Sequence, residues 1–134
     1  MNQPADTFAQ RTRRLTSEVQ RLRDWAGGDP TRLGAVTDAL VELTAHRLAG
    51  HEWGEAAPSA QEAVVLSAKV LATHGPVGPY TPRADAVRSI TALVHLAVIQ
   101  SAAGLTEGAG QTLAAALGLR GQLSRLELDA DLPP

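Results

Sequence analysis

An all-α fold of about five antiparallel helices is what this sequence predicts, and three observations predict it. Aromatic residues are only 3% of a chain whose hydrophobic residues reach 44%, so the core must be built from Leu, Val, Ile and Ala. Ala and Leu lead the helix-propensity ranking. Apolar residues recur at steps of three and four, and no stretch sustains the alternation of a strand. Gly and Pro fall between the periodic segments, where helices stop and restart. With 134 residues the chain has the size of one domain. Residues 1–128 are read as that single all-α domain, and the acidic end, 129–134, as a frayed tail.

The first helix is expected over 5–26. Phe8, Leu15, Val19, Leu22 and Ala26 form one narrow stripe, with Thr12 filling the gap, while Arg11, Arg13, Arg14, Arg21 and Arg23 lie mostly off it. Gly27-Gly28 stops the helix. Asp29-Pro30 then supplies a cap acceptor and a first-turn proline, and Leu33, Val36, Leu40, Leu43 and Leu48 carry a second helix over 30–49 to the stop at Gly50. A third follows over 54–73, its regular part expected to begin nearer Ala57 because Pro58 belongs in a first turn. Residues 74–81, with two Gly and two Pro, form the one long loop. Thr81-Pro82 repeats the cap signal, and Asp85 sits where the helix dipole favours an anion. The fourth helix, 82–103, is apolar on nearly every face (Val87, Ile90, Leu93, Val94, Leu96, Ala97, Val98, Ile99), which predicts the most buried, central helix. The fifth, 106–126, carries Ala109, Leu113, Ala116 and Leu117 and is weakened by Gly118 and Gly121.

Composition excludes several classes of function. With no cysteine there are no disulfides, thiolate zinc sites or cysteine nucleophiles. The net charge of −2 gives no reason to expect a polyanion partner, and Glu18 and Asp24 interrupt the arginines of the first helix, so nucleic acid is not expected. Residues 1–10 contain no apolar signal segment, and the most apolar run, 90–99, is about half the ~20 residues that cross a bilayer. A soluble, cytoplasmic protein without membrane contact is expected.

Catalytic chemistry finds no foothold. His46 and His51, beside Glu52, lack a third metal ligand. His95 lies among Leu93, Val94, Leu96 and Ala97, the setting of a neutral core histidine. Glu52, Glu55 and Glu62, like Glu127, Asp129 and Asp131, have no apolar surroundings to raise a carboxyl pKa. Ser67, Ser89 and Ser101 sit in no nucleophile elbow, and the glycines of 104–110 follow no strand and precede no Gly-Lys-Ser/Thr. No catalytic residue, metal site or cofactor is assigned, and the protein is read as not an enzyme.

Two segments correspond at an offset of about 53 residues. Leu43-Thr44, Ala49-Gly50, Glu55-Ala56 and Ala63-Val64 align with Leu96-Ala97, Ala102-Ala103-Gly104, Gly108-Ala109 and Ala116-Leu117. Small residues two turns apart allow the close approach of paired helices. Over residues 33–126 this pattern resembles a degenerate tetratricopeptide repeat of the type found in large actinobacterial proteins, with Leu43, Thr44, Ala56, Ala63, Leu96, Ala97, Ala109 and Ala116 at the matching positions. Its period exceeds the usual ~34 residues, and Arg47 and Gln100 stand near the customary tyrosine. A compact bundle is the alternative architecture.

The resemblance implies a non-catalytic adaptor or scaffold binding a protein or peptide. Its inner face would comprise Asp38, Val41, Ala45 and Leu48 of the second helix and Thr91, Val94, Val98 and Ser101 of the fourth. That face would hold a partner helix or be closed by the first helix. The alternative is a small helical sensor enclosing an apolar ligand around His95. Either the stripe of Phe8, Leu15, Val19 and Leu22 closes back on the second helix and the chain is a monomer, or a homodimer through Phe8, Leu15, Val19, Leu22 and Trp25 covers it, since an uncovered stripe of that size is rare on a monomer.

Overall fold

The structure is a computed structural model in which residues 7–130 are described, with side chains to residue 127. It contains five α-helices: α1 Phe8–Ala26, α2 Leu33–Ala49, α3 Trp53–Ala72, α4 Arg83–Ala102 and α5 Thr106–Ala130. Among the described residues there is no strand, and no helix is long and apolar enough to cross a membrane. Each helix packs on the next, and α2 also touches α4. The chain is therefore two helical hairpins, α2–α3 and α4–α5, side by side, with α1 laid on α2.

The helix boundaries follow local chemistry. Thr7 and Gln10 form a reciprocal capping box at the start of α1, and Gly27 ends it at φ 53°. Asp29 does cap a restart, accepting from the Thr31 amide at 2.9 Å. The turn it opens is a single 3-10 turn, Pro30–Arg32, from which α2 continues. Three expectations are corrected. The third helix begins at Trp53 rather than near Ala57, with Pro58 in its sixth position. The exposed Pro58 removes one N–H whose partner would be the Gly54 carbonyl, a loss tolerable where water reaches. The Thr81 hydroxyl does not cap α4 but accepts from the Gly78 amide at 3.0 Å, closing the loop on itself. Finally, α5 runs through Gly118 and Gly121 to Ala130, so part of the expected tail is helical; residues 131–134 lie outside the described residues.

The repeat detected in the sequence has a structural counterpart at the two hairpin turns. His51 and Gly104 both take positive φ, 57° and 80°. The amide after each reaches five residues back: Glu52 to the Arg47 carbonyl at 2.9 Å, and Leu105 to that of Gln100 at 2.8 Å. The next bonds match too, Ala56 to Glu52 and Ala109 to Leu105, both at 2.9 Å. This is the left-handed helix-end motif, built once with a histidine and once with a glycine.

The principal core gathers Leu15 and Val19 of α1, Val36, Ala39, Leu40 and Leu43 of α2, Ala63 of α3 and Ala92 of α4. A second cluster joins Ala56 and Ala60 of α3 to Ile99 of α4. Contrary to expectation, α2 rather than α4 is the central helix. Each packs on three other helices, but α2 fully buries Val36, Thr37, Leu40 and Thr44, whereas α4 leaves Val87, Val94 and Val98 about 40% exposed (41%, 38% and 43%). Apolar composition alone misled here. A helix apolar all round is central only if the chain supplies neighbours on every side.

Candidate functional site

Helical spacing divides α2 and α4 in the same way. On α2, Glu42 and His46 face α1: Arg11 pairs with Glu42 at 3.7 Å, Thr12 Oγ1 lies 2.8 Å from His46 Nε2, and Phe8 stacks on His46 at 4.0 Å. The Thr44 hydroxyl meets Ser59 of α3 at 2.8 Å. Between these contacts, Asp38 and Ala45 are exposed and Val41 and Leu48 half-buried. On α4, the matching arc holds Val94, Val98 and Ser101, exposed, and Thr91, half-buried. Arg88 Nε donates to Asp38 Oδ1 at 2.6 Å, tying the two arcs edge to edge. Of the eight residues expected on the inner face, Asp38, Ala45, Val94, Val98 and Ser101 are exposed and Thr91 half-buried, whereas Val41 packs against the principal core and Leu48 against the Ala56–Ala60–Ile99 cluster. The first helix does not close over the exposed ones, because α1 is fastened to the Glu42–His46 stripe.

A second polar feature went unread in the sequence. Asp85, nearly buried, accepts from Arg88 Nη1 at 2.6 Å and lies 3.2 Å from His74 Nε2, so its carboxylate serves neighbours rather than the amides of its own helix. The Asp38 hydrogen bond holds the Arg88 guanidinium above its usual range against the opposing effect of burial. A cleft of about 440 Å³ lies here, lined by Pro30, Thr31, Gly34, Val70, Thr73, His74, Asp85 and Arg88. Among the described residues, the two hydroxyls that line this cleft are bound elsewhere. The Thr31 hydroxyl is bound to Asp29 at 2.8 Å, and that of Thr73 donates to the Val70 carbonyl at 2.6 Å. The cluster is a clamp fixing the 74–81 loop to α4 and α4 to α2. Only its spacing, Asp85 and Arg88 one turn apart, was visible beforehand.

The remaining candidates separate. His46 is occupied by α1 and His51 stacks edge-on against Trp53 at 5.7 Å. Among the described residues no three His, Asp or Glu side chains converge on a metal site. His95 is half-buried with Nδ1 buried and unpartnered, and burial lowers its pKa. It lines none of the clefts, which are about 450 Å³ between the 74–81 loop and the end of α5, about 390 Å³ between α1, α2 and α3, the 440 Å³ cleft above, and about 270 Å³ near Val77.

The expected dimer stripe divides: Leu15, Val19 and Leu22 turn inward, while Phe8 and Trp25 stay 41% and 49% exposed. Leu15 and Val19 are 6% and 3% exposed, Leu22 packs on the same core, Phe8 covers His46, and Trp25 carries the Arg32 guanidinium 4.7 Å above its ring. α2 gives Leu15, Val19 and Leu22 a partner within the chain. Of the α1 arginines, Arg11, Arg21 and Arg23 pair with Glu42, Glu18 and Glu62. No protein-family model, curated protein or solved structure matches this chain.

Proposed function

We propose that this protein is a non-catalytic helical adaptor of tetratricopeptide-like type, acting in the cytoplasm, that holds an apolar segment of a protein or peptide against the open side of α2 and α4. One observation carries this reading: Val87, Val94 and Val98 are exposed along a single stripe of α4, which packs on α2. Contiguous apolar surface on a rigid helical pair is where an amphipathic helix docks. Asp38, Glu42 and Arg88 rim the stripe and would fix the register of the incoming segment rather than its affinity. The matching hairpin turns 53 residues apart support the repeat architecture on which the reading rests.

A photo-cross-linking amino acid at Val98 tests it in the native host, with the exposed Ser17 of α1 as control. The expected result is one discrete adduct from position 98 that position 17 does not give. Val94→Glu should lower its yield at least tenfold. No adduct, or the same adduct from both positions, would overturn the assignment.

A further inference from the structure

The two ends of this helical array differ. At the front, α1 covers α2 and turns Arg13, Ser17, Arg21 and Asp24 to solvent. At the back, α5 repeats the flank on which α3 receives α4, but among the described residues nothing is received there. Ala60, Val64 and Ser67 of α3 are 0% exposed, half-buried and 1% exposed, and Ala60 packs in one cluster with Ile99 and Leu96 of α4. Their counterparts at the repeat offset are Leu113, Leu117 and Arg120. Leu113 is 44% and Leu117 57% exposed. The neighbouring side of α4 is open in the same sense, with Val94 exposed where Val41 is half-buried.

We propose that a second copy of this chain covers this end, the two α5 helices running antiparallel about a two-fold axis near Ala115. Charge complementarity selects that occupant. Glu107 and Arg125 lie about five full helical turns apart, hence on one side of α5. Both are exposed, and among the described residues neither forms an ion pair within the chain. In the antiparallel pairing each Glu107 meets Arg125 of the second copy, while each Leu113 lies over Leu117 of the second copy. Gly110 then faces Gly121. A Cβ at Gly110, Gly118 or Gly121 would meet nothing within 4 Å in the single chain, so no intrachain packing asks for these glycines. In the pair they let the backbones approach. Head-to-tail stacking is ruled out by the polar outer face of α1, so the contact is isologous and closes at two.

The test is the mass of the full chain by light scattering at tens of micromolar, expected at twice the 14.0 kDa chain mass. Leu113→Glu with Leu117→Glu should give a monomer of unchanged helicity by circular dichroism, since both side chains are exposed. Glu107→Arg and Arg125→Glu should each raise the dimer dissociation constant about tenfold, and the two together should restore it. A wild-type monomer would overturn the proposal, as would a dimer that survives the leucine changes. Charge reversals that fail to rescue each other would do so too. A monomer whose position 113 photo-cross-links to a different protein would give the face to a heterologous helix and equally overturn it.

Discussion

Leu40→Ala is the substitution that most directly tests the finding that α2, not α4, is the core helix. Leu40 is 1% exposed and lies in the cluster where α1, α3 and α4 all contribute side chains against α2. Deleting a leucine side chain there removes its transfer free energy and leaves a cavity that helices on three sides are poorly placed to collapse. Leu→Ala losses in such sites run about 2.7–5 kcal/mol, and the convergence of four helices puts the expected value at about 3–4 kcal/mol. For a domain of this size that is a fall in Tm of about 10–20 °C. Leu93→Ala, a half-buried leucine of α4, removes about half as much area from the protein interior and should cost about 1–2 kcal/mol. Urea unfolding at a constant m-value reports both differences, with circular dichroism confirming that each variant begins folded. If Leu93→Ala proves as destabilising as Leu40→Ala, the placement of α2 at the centre is refuted.

Three further outcomes are expected. Asp85→Asn should destabilise by about 1–3 kcal/mol in thermal unfolding, because it strips charge from the acceptor shared by Arg88 and His74; no effect would mean the clamp is decorative. Thr44→Val leaves the Ser59 hydroxyl its Ala56 carbonyl, 2.9 Å away, so it should cost no more than about 1.5 kcal/mol. A larger loss in urea titration would show that the hydroxyl pair between α2 and α3 holds more than its own hydrogen bond. His95 has a pKa lowered from 6.5 by burial, so the unfolded chain binds its proton first as pH falls. Stability linked to His95 is therefore complete above about pH 6.5 and declines below it. His95→Gln should flatten the fall in stability between about pH 7 and pH 5.5, and an unchanged slope would show that this ring does not contribute.

Helix positions were legible because periodicity, caps and stops are local properties. Asp29-Pro30, Gly27 and Gly50 act within a few residues of themselves, and the structure uses all three close to where the pattern placed them. Pro58 and the Thr81-Pro82 pair were misread because each local rule admits two outcomes. A proline six residues into an exposed helix can be tolerated, and a threonine before a helix can turn back to its loop instead. The grouping of residues along each helix was legible for the same reason as the helices. Asp38, Val41, Ala45 and Leu48 share a side of α2 by spacing alone, as do their counterparts on α4, and only their adjacency required the hairpins to stack. The His74–Asp85–Arg88 cluster was not legible. It joins a loop, a helix start and, through Asp38, a residue on another helix far away in the chain.

What the amino-acid order settled was the class of fold, the number of helices and the apolar side of each, since backbone hydrogen bonding and side-chain periodicity need only near neighbours. Which apolar sides would meet was decided by packing. Of α1 and α4, α4 is the more apolar as sequence, yet Leu15 and Val19 of α1 found α2 while Val94 and Val98 of α4 found solvent. The difference is one of supply: α1 lies against a free flank of α2, whereas α4, already packed on α2, α3 and α5, meets no further helix on its remaining side among the described residues. Burial is a property of neighbours, and the described residues provide none on that side of α4.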